Sequence, residues 1–498
     1  MSKDSFRVKQ QLTRRDAIKL LGVGTTATLA TGFALGDVVP NVADAGGKTE
    51  VVIVGAGFAG LAAARSLVTQ GKKVVVLEAR DRVGGRVKGG KLAGHPVDVG
   101  GMWAGPGQTR VLQLIKEYGL HLVPQFEDGK DISEINGVRT TANGEDTGLN
   151  AQAQAEYDRV VQELNVLTAQ LPLDAPWTAP RSEALDHMTV QDWLDSAVQN
   201  KDTRSFIQAM VRSNYAADPF QLSFLYFLFY LRSADNFETV IGYKNAAQAF
   251  LVRETMYELA TRMAHELSNN IVLEAPVRAI SQTSNNVTVN SDKGVWQCDY
   301  AIVAVPLPLS VRIFYEPALP PERDLLAQRT PMGSVIKYWV AYAKPFWRDR
   351  GLNGMIWSDE PPSASIADAS PSDRGPGFLV GFFEAQHALK WTGRPMEERK
   401  KFIVDRMVQW LGPEAAHPID YEDQDWPAET WSRGCYGPVM GPGVFTSVGK
   451  VIRQPHGRIH WAGSETSTRW AGYIDGAIRS GERAAAEVCS LCKVSSSI

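Results

Sequence analysis

Cysteine is scarce in this sequence: four residues among 498 are too few for a fold held together by disulfides. An excess of one charge is also lacking, since 52 Lys and Arg stand against 55 Asp and Glu, for a formal net charge of −3. Nothing therefore suggests a nucleic-acid partner or a basic surface that coats membranes. The eight histidines are scattered, and no His, Cys and Asp cluster has the spacing of a metal site.

Long apolar runs are missing as well. The most aromatic stretch, Phe220–Leu231, is too short and too polar at its ends to span a bilayer. It predicts a helix that is buried in the core or borders an apolar substrate cavity, and one helix can do both with different faces. With 498 residues the chain is too long for one compact core, so two domains are expected.

The first 45 residues resemble an export leader. Thr13–Lys19 contains the paired arginines of a twin-arginine signal, Leu20–Gly36 is modestly apolar, and Ala43–Ala45 is a small-x-small cleavage site. We therefore expect a bacterial protein that the twin-arginine machinery exports in the folded state, to the periplasm or beyond. The alternative is an amphipathic N-terminal helix or a short anchor.

An early segment predicts the start of a nucleotide-binding βαβ unit. Val51–Val54 is a short apolar run typical of a buried parallel strand, and Leu61–Gln70 has the composition of a helix. Between them, Gly55, Gly57 and Gly60 have the G-x-G-x-x-G spacing. The first glycine permits a tight turn, the second lets the backbone approach a pyrophosphate, and the third lets helix and strand pack closely.

The second strand of this unit, Val74–Leu77, ends on Glu78. An acid roughly 20 residues after the glycines binds a ribose hydroxyl, and its charge disfavours a 2′-phosphate. NADP is therefore disfavoured, while NAD and FAD both stay open. Two glycine pairs, in Arg80–Arg86 and Asp98–Arg110, indicate a backbone that wraps closely around a long cofactor.

These segments also resemble a known family. LEARDRVGGR, followed by a GG-x-aromatic-x-GP-x-Q-x-R segment, is similar to the flavin-containing amine oxidases, and to the monoamine oxidases most of all. The resemblance spans Val51–Val488, is strongest at its two ends and is weakest over residues 126–264. It implies that the cofactor is FAD rather than NAD.

The resemblance implies an α/β fold, namely a two-domain FAD-binding, Rossmann-like flavoprotein of the glutathione-reductase type with an α+β substrate domain. Residues 48–125, 265–318 and 427–492 would form the discontinuous FAD-binding domain, residues 126–264 and 319–426 the substrate domain, and residues 493–498 a tail. Mitochondrial monoamine oxidases end in a membrane helix, whereas this chain ends at Ile498 in a short Ser-rich tail, so no transmembrane anchor is expected. The oligomeric state stays open, with a homodimer as one option.

The resemblance further implies which residues contact the cofactor. Cys435 matches the cysteine that monoamine oxidases join to the flavin 8α-methyl group through sulfur, although many bacterial relatives lack it and hold FAD without a bond. The alternative for Cys435 is a small buried hydrophobe. The expected FAD contacts are Gly55, Gly57, Gly60, Glu78, Ala79, Arg80, Gly85, Arg86, Gly101, Met102, Val277, Cys435, Gly463, Ser464, Glu465, Gly472 and Ile474.

Four residues match the reaction site of the family. Tyr436 and Tyr473 correspond to the two tyrosines of the aromatic cage in front of the flavin. Lys337 corresponds to a lysine that holds a water against flavin N5, and Trp426 to a tryptophan that packs against the flavin. The alternatives are ordinary buried tyrosines, a surface lysine on a strand and a core tryptophan.

The function that these residues imply is oxidation of an amine to an imine, which hydrolyses to an aldehyde or ketone. The electrons would pass through FAD to O₂, giving H₂O₂, or to a periplasmic cytochrome or other carrier. The paired tyrosines and the apolar stretch favour an aryl or alkyl monoamine, and an N-methylated alkaloid amine of the nicotine type also fits. A diamine requires an acid at the far end of the cavity, which the sequence does not locate. An amino acid requires an arginine, for which Arg232 and Arg253 are candidates.

Two further interpretations stay open. From another functional class, a non-catalytic flavin-binding interaction protein is the alternative, although no long docking insertion is visible. Cys489 and Cys492 form a C-x-x-C pair at the end of the last predicted helix, Gly472–Cys489. Without thioredoxin-like surroundings this pair is interpreted as structural, and a disulfide after export stays open.

Overall fold

The computed structural model describes residues 46–144, 146–362, 364–372 and 374–495. The predicted leader over residues 1–45 lies outside the described residues. The predicted tail over residues 493–498 is described only in part, because the last helix, Ile474–Ser495, continues into it. None of the helices in the described ranges combines the length and apolar character that crossing a membrane requires.

A five-stranded parallel sheet contains the predicted βαβ unit. Nearly all residues of its strands are buried, as their unbroken apolar runs predict. The helices Phe58–Thr69 and Ile474–Ser495 pack together on one face of this sheet. In spatial order the strands are Ile271–Val272, Val74–Leu77, Val51–Val54, Tyr300–Val303 and Ile459–Trp461.

The first helix begins at Phe58, three residues before the predicted Leu61. Gly57 precedes it in an extended conformation, and no side chain caps the helix. Gly60 therefore falls in the first turn, where an added Cβ would lie 1.8 Å from Gly55 O. Only glycine permits this close contact between the helix and the turn before it.

A second five-stranded sheet corrects one predicted strand. The apolar pattern predicts a single strand over Ile271–Val277, but Ile271–Val272 pairs in the parallel sheet and Val277–Gln282 belongs to the second sheet. Glu274, whose φ is +54°, turns the chain between the two. In spatial order the strands of the second sheet are Gly47–Lys48, Gly294–Cys298, Val287–Ser291, Val277–Gln282 and Phe314–Glu316.

A seven-stranded mixed sheet forms the other large sheet. One face packs against the helix Met396–Leu411, and the opposite face carries Lys337 and Phe382, which oppose each other on paired strands. In spatial order the strands are Asp420–Asp425, Val335–Tyr342, Gly377–Glu384, Ser365–Asp368, Leu352–Ser358, Lys130–Ile135 and Val138–Asn143.

The aromatic stretch forms a buried helix, as predicted. It begins at Phe224, because Pro219–Gln221 is a separate 3₁₀ turn and the Ser223 side chain caps the helix by accepting from Tyr226 N. All residues of this helix, Phe224–Ala234, are buried except Arg232. Around it lie the helices Ala151–Ala169, Ser182–His187, Val190–Ala197, Lys201–Tyr215 and Phe237–Ile241.

The remaining elements connect these layers. All strands of the seven-stranded sheet come from the predicted substrate segments, and all strands of the parallel sheet come from the predicted FAD-binding segments. The helix Met256–Glu266 crosses the predicted boundary after residue 264 and packs into the core of the parallel sheet. The domain division itself stays a prediction. The other helices and strands are Gly89–Leu92, His95–Asp98, Trp103–Ala104, Thr109–Glu117, Leu122–Pro124, Phe250–Val252, Leu307–Ser310, Pro321–Gln328, Ala385–Trp391 and Val444–Val448.

Candidate active site

A cavity of about 480 Å³ is lined by residues of both large sheets and of the aromatic helix. Every residue predicted to contact FAD or to form the reaction site lines it except Gly60 and Glu465, whereas the carboxylate candidates Arg232 and Arg253 do not line it. The predicted residues in the lining are Gly55, Gly57, Glu78, Ala79, Arg80, Gly85, Arg86, Gly101, Met102, Val277, Lys337, Trp426, Cys435, Tyr436, Gly463, Ser464, Gly472, Tyr473 and Ile474. Residues that are far apart in sequence thus converge on one space.

The two exceptions support the wall from behind. Gly60 packs against the carbonyl of Gly55 and does not face the cavity. Glu465 is buried, accepts a hydrogen bond of 2.9 Å from Leu307 N and lies 3.4 Å from the Arg86 guanidinium. Neither residue lines the cavity, and their contact with the cofactor stays a prediction.

Two glycine turns form a close-packed part of the lining. Gly57 and Gly84 make a parallel β-bridge, and a Cβ added to Gly85 would lie 3.3 Å from Gly57 Cα. Beside them the helix Phe58–Thr69 begins with no side-chain cap and no acidic residue in its first turn. Its first N–H groups and its dipole favour an anion such as a pyrophosphate at this point.

Glu78 closes the same end of the cavity. Its carboxylate accepts hydrogen bonds of 2.7 Å from Ala56 N and 3.0 Å from Arg80 N, so it is fixed by the turn that it borders. Arg80 also pairs with Glu429 at 2.7 Å. This arrangement leaves a buried carboxylate at the edge of the lining, where a ribose hydroxyl can donate to it.

Lys337 lies in the middle of the strand Val335–Tyr342 and is 2% exposed, which excludes the surface-lysine alternative. Its Nζ donates a hydrogen bond of 2.8 Å to Gly100 O and lies 2.7 Å from Met102 Sδ. The ring centroids of Trp103 and Phe382 are 5.5 Å and 5.9 Å from Nζ. Burial lowers the pKa of Lys337, while the negative charge of the Asp98 carboxylate raises it in part.

Tyr436 and Tyr473 each stand in an aromatic cluster on the cavity wall. Tyr436 makes an edge-on contact with Phe382 at 6.0 Å, and Tyr473 contacts Tyr230 at 5.7 Å and Trp470 at 5.1 Å. Burial raises the pKa of both phenols above the usual value, so both stay protonated at neutral pH. These contacts fix the ring planes without adding a charge to the wall.

Trp426 and Cys435 complete the lining near Lys337. The Trp426 indole donates a hydrogen bond of 3.2 Å to Val99 O, and Cys435 N donates one of 3.0 Å to Gly333 O. Burial raises the pKa of the Cys435 thiol to about 12, so the sulfur is protonated before any reaction. Cys298 and Cys435 are buried free thiols, and a disulfide between Cys489 and Cys492 stays a prediction.

Several lining residues escaped the sequence analysis. The paired strand register places Phe382 directly opposite Lys337, which only the fold reveals. Tyr230 lies on the aromatic helix, so the prediction that this helix borders a cavity could have singled it out. Other unpredicted lining residues are Trp103, Ser213, Asn214, Tyr243, Trp357 and Ser365. No group of three or more His, Cys, Asp and Glu side chains that could hold a metal occurs in the described part of the chain.

Comparison with known proteins identifies the family. The sequence model described as "Flavin containing amine oxidoreductase" matches residues 58–489. The chain belongs to this family. It is 38% identical over 442 residues to the "Putative flavin-containing monoamine oxidase AofH" of Mycobacterium tuberculosis, with 89% of this chain and 97% of that protein covered. It is 36% identical over 453 residues to "Amine oxidase [flavin-containing] A" of Equus caballus, with 89% and 85% covered.

Solved structures of this family have the same fold. Putrescine oxidase bound to putrescine superposes with a TM-score of 0.86 at 31% identity, and cyclohexylamine oxidase from Brevibacterium oxydans IH-35A with a TM-score of 0.85 at 30% identity. Each match covers 89% of this chain and 99% of the other. The predicted family, the two-domain α/β flavoprotein fold and the assignment as an enzyme are thereby confirmed: the protein is an FAD-dependent oxidoreductase that acts on amines.

The cavity of this amine oxidase fits FAD. A side chain at Gly85 would press on Gly57 in the glycine cradle, and the uncapped helix start can take the pyrophosphate. Glu78 can hold the ribose, and the wall around Lys337, Trp426 and Cys435 can take the flavin ring. When bound, FAD supplies the two-electron acceptor for amine oxidation.

Proposed function

We propose that this enzyme oxidises the C–N bond of an alkyl or aryl amine to an imine and passes the electrons to O₂, giving H₂O₂. Water then hydrolyses the imine to an aldehyde or ketone and an amine or ammonia. The observation that carries the proposal is that Tyr436, Tyr473 and the buried Lys337 line one cavity. A monoamine and an N-methylated amine both suit the apolar surface beside the two tyrosines.

The chain's own residues orient the reacting nitrogen. The rings of Tyr436 and Tyr473, fixed by Phe382 and Tyr230, narrow the space in which an amine can lie. Aromatic walls exclude water and make an ammonium costly to bury, so the amine binds in its neutral form. Binding in this form leaves the nitrogen lone pair available when the α-C–H bond breaks.

Lys337 would hold a water molecule beside the electron acceptor. Its Nζ donates to Gly100 O and to Met102 Sδ, which leaves the third donor of the ammonium form for a ligand in the cavity. Burial lowers the pKa of Lys337, and the nearby Asp98 carboxylate favours its charged form. A positive charge there would stabilise negative charge that develops when O₂ is reduced.

The electron acceptor and the substrate are tested in one experiment. The purified yellow protein is mixed anaerobically with alkyl and aryl monoamines, diamines, polyamines, amino acids and nicotine-type amines, and the flavin absorbance is followed. Bleaching by an amine followed by rapid recovery in air with H₂O₂ release is expected. If the flavin is bleached but does not recover in air, the electron acceptor is a periplasmic carrier and not O₂. Absence of bleaching by every amine would contradict the proposed function.

We also propose that Cys435 forms a thioether to the flavin 8α-methyl carbon. Cys435 lines the cavity and directly precedes Tyr436, a predicted cage tyrosine. Flavin fluorescence that stays with the polypeptide on a denaturing gel is expected, and a Cys435→Ser variant should lose it. Fluorescence that separates from the wild-type polypeptide would refute the bond.

Export is the last part of the proposal. The basis is the Arg14–Arg15 pair with the apolar run and small-residue site that follow it, all within residues 1–45. Export in the folded state suits a protein that must acquire FAD before it leaves the cytoplasm.

A further inference from the structure

An acid that the reaction does not use lies behind one wall of the cavity. Ser213 and Ser365 line the cavity with their Oγ atoms 2.9 Å apart, and we call these two residues the serine wall. Directly behind it lies Glu384, which is 3% exposed. The Glu384 carboxylate also adds to the raised pKa of Tyr436 and of Tyr243, both of which line the cavity. The acid therefore stands next to the predicted substrate space.

The strand pairing explains why Glu384 faces this space. Val335 is paired with Glu384 and Lys337 with Phe382 on two neighbouring antiparallel strands. Side chains alternate along a strand, so Glu384 shares the face of Phe382 and Lys337. Both of these residues line the cavity. Glu384 lies two residues after Phe382, which is about 7 Å further along the strand.

Glu384 is only partly satisfied by the protein. One carboxyl oxygen accepts a hydrogen bond of 2.9 Å from Ala364 N, and the other, Oε1, has no hydrogen bond of normal geometry among the described residues, although the nearby Ser213 hydroxyl interacts with the carboxyl. Burial raises the pKa of Glu384 to about 8. The Ala364 N–H, the charge of Arg212 and the Ser213 hydroxyl each lower this pKa, but by less than burial raises it. Arg212 donates to Asp359 O at 3.1 Å, so the structure gives Glu384 no direct ion pair with it.

A second buried acid near the cavity, Asp131, differs from Glu384 in its hydrogen bonds. Asp131 is fully buried, and its two carboxyl oxygens accept from Asn353 and, at 3.1 Å, from the indole of Trp357. Its hydrogen-bonding capacity is thus used by the protein itself. Burying an acid without such partners is costly, which points to a donor that arrives with the ligand.

We propose that Glu384, acting through the serine wall, recognises a second ammonium group on the substrate, so that the preferred substrate is an aliphatic diamine. This inference rests on the proposed function and names its substrate class. The reacting nitrogen lies neutral between the tyrosines, while the second nitrogen stays protonated and donates to the serine wall. The arriving cation lowers the pKa of Glu384, whose carboxyl then gives its proton to solvent.

The test compares 1,4-diaminobutane with n-butylamine, two probes of equal carbon chain that differ by one amine. For the holoenzyme we expect kcat/KM for the diamine to exceed that for the monoamine by about tenfold or more, the smallest effect of a hydrogen bond to a charged group. In Glu384→Gln this ratio should fall towards one, mainly through a rise in KM for the diamine. Ser213→Ala should lower the ratio as well, which keeps the test valid if Glu384→Gln does not fold.

Asp131→Asn is the matched control, because it removes a buried acid near the same cavity whose oxygens are already occupied. It should keep the diamine preference. The inference is overturned if Glu384→Gln lowers both kcat/KM values by the same factor, if Asp131→Asn alone abolishes the preference, or if the wild type prefers n-butylamine. In each of these outcomes amines still reduce the flavin and the proposed function stands. Failure of both probes and of every other amine to bleach the flavin would instead overturn the proposed function itself.

Discussion

Replacing Glu384 by Gln should make the protein more stable at alkaline pH, and the size of this effect follows from burial. The pKa of Glu384 rises from 4.5 to about 8 in the folded protein because burial disfavours its charged form. Between these two values the unfolded chain loses the proton while the folded protein keeps it. Because the unfolded state then binds fewer protons, the contribution of Glu384 to stability falls as the pH rises from 4.5 to 8.

The magnitude is about 5 kcal/mol, from a shift of about 3.5 pKa units at roughly 1.4 kcal/mol each. For a chain of 498 residues the entropy of unfolding is about 1 kcal/mol per degree, so the melting temperature should respond by about 5 °C. Glutamine cannot ionise, and its carbonyl oxygen can still accept from Ala364 N. The Glu384→Gln variant should therefore not lose stability in this way as the pH rises.

Differential scanning fluorimetry of the holoenzyme at pH 5 and pH 8 measures this effect. The melting temperature of Glu384→Gln minus that of the wild type should increase by about 3.5 °C between the two pH values, because this window covers about 2.6 of the roughly 3.5 pKa units. Other titrating groups cancel in this difference. Glu397→Gln, at a side chain that is 80% exposed, is the control and should show no such increase. A difference for Glu384→Gln that is independent of pH would refute the burial argument.

Three further predictions concern the reaction and export. Tyr473→Ala should leave the protein yellow but slow anaerobic flavin reduction by an amine by about 10²-fold, since the nitrogen is no longer oriented; unchanged stopped-flow rates would contradict the cage. Lys337→Met should slow the reoxidation of the reduced flavin by air, and an unaltered rate would remove Lys337 from the oxygen step. Replacing both Arg14 and Arg15 by Lys should keep the protein in the cytoplasm of a bacterium with a twin-arginine pathway, as immunoblots of cell fractions would show; unimpaired export would contradict the leader.

The local features of the fold could be predicted from the sequence. The βαβ unit depends on residues close in the chain, because the apolar runs, the three glycines and Glu78 all fall within one segment. The strand break at Glu274 could not be predicted from the sequence. Glu274 has a left-handed backbone conformation, and the residues on its two sides belong to two different sheets. Periodicity alone does not reveal where one strand is divided between two sheets.

The site was predictable only as far as it follows the glycine turns and the family motifs. Glu384 ends an otherwise apolar run, Gly377–Glu384, and nothing in that run indicates which face it occupies. Its position depends on pairing with Val335 and on the approach of Ser213 from the helix Lys201–Tyr215, far away in sequence. Contacts of this kind arise from tertiary packing, so the acid that a diamine requires had no sequence signal.

Lys337 and Glu384 together show how the two ends of the proposed reaction share one sheet face. Both ionisable groups are almost fully buried on adjacent strands of this face, at a cost in stability. Mutual neutralisation does not account for them, because the described contacts of Lys337 Nζ are Gly100 O and Met102 Sδ, while Glu384 accepts from Ala364 N. Each group therefore retains capacity for a ligand: Lys337 at the cofactor and Glu384 at the substrate. On this argument the strand pairing that sets their spacing also sets the length of amine that the enzyme prefers.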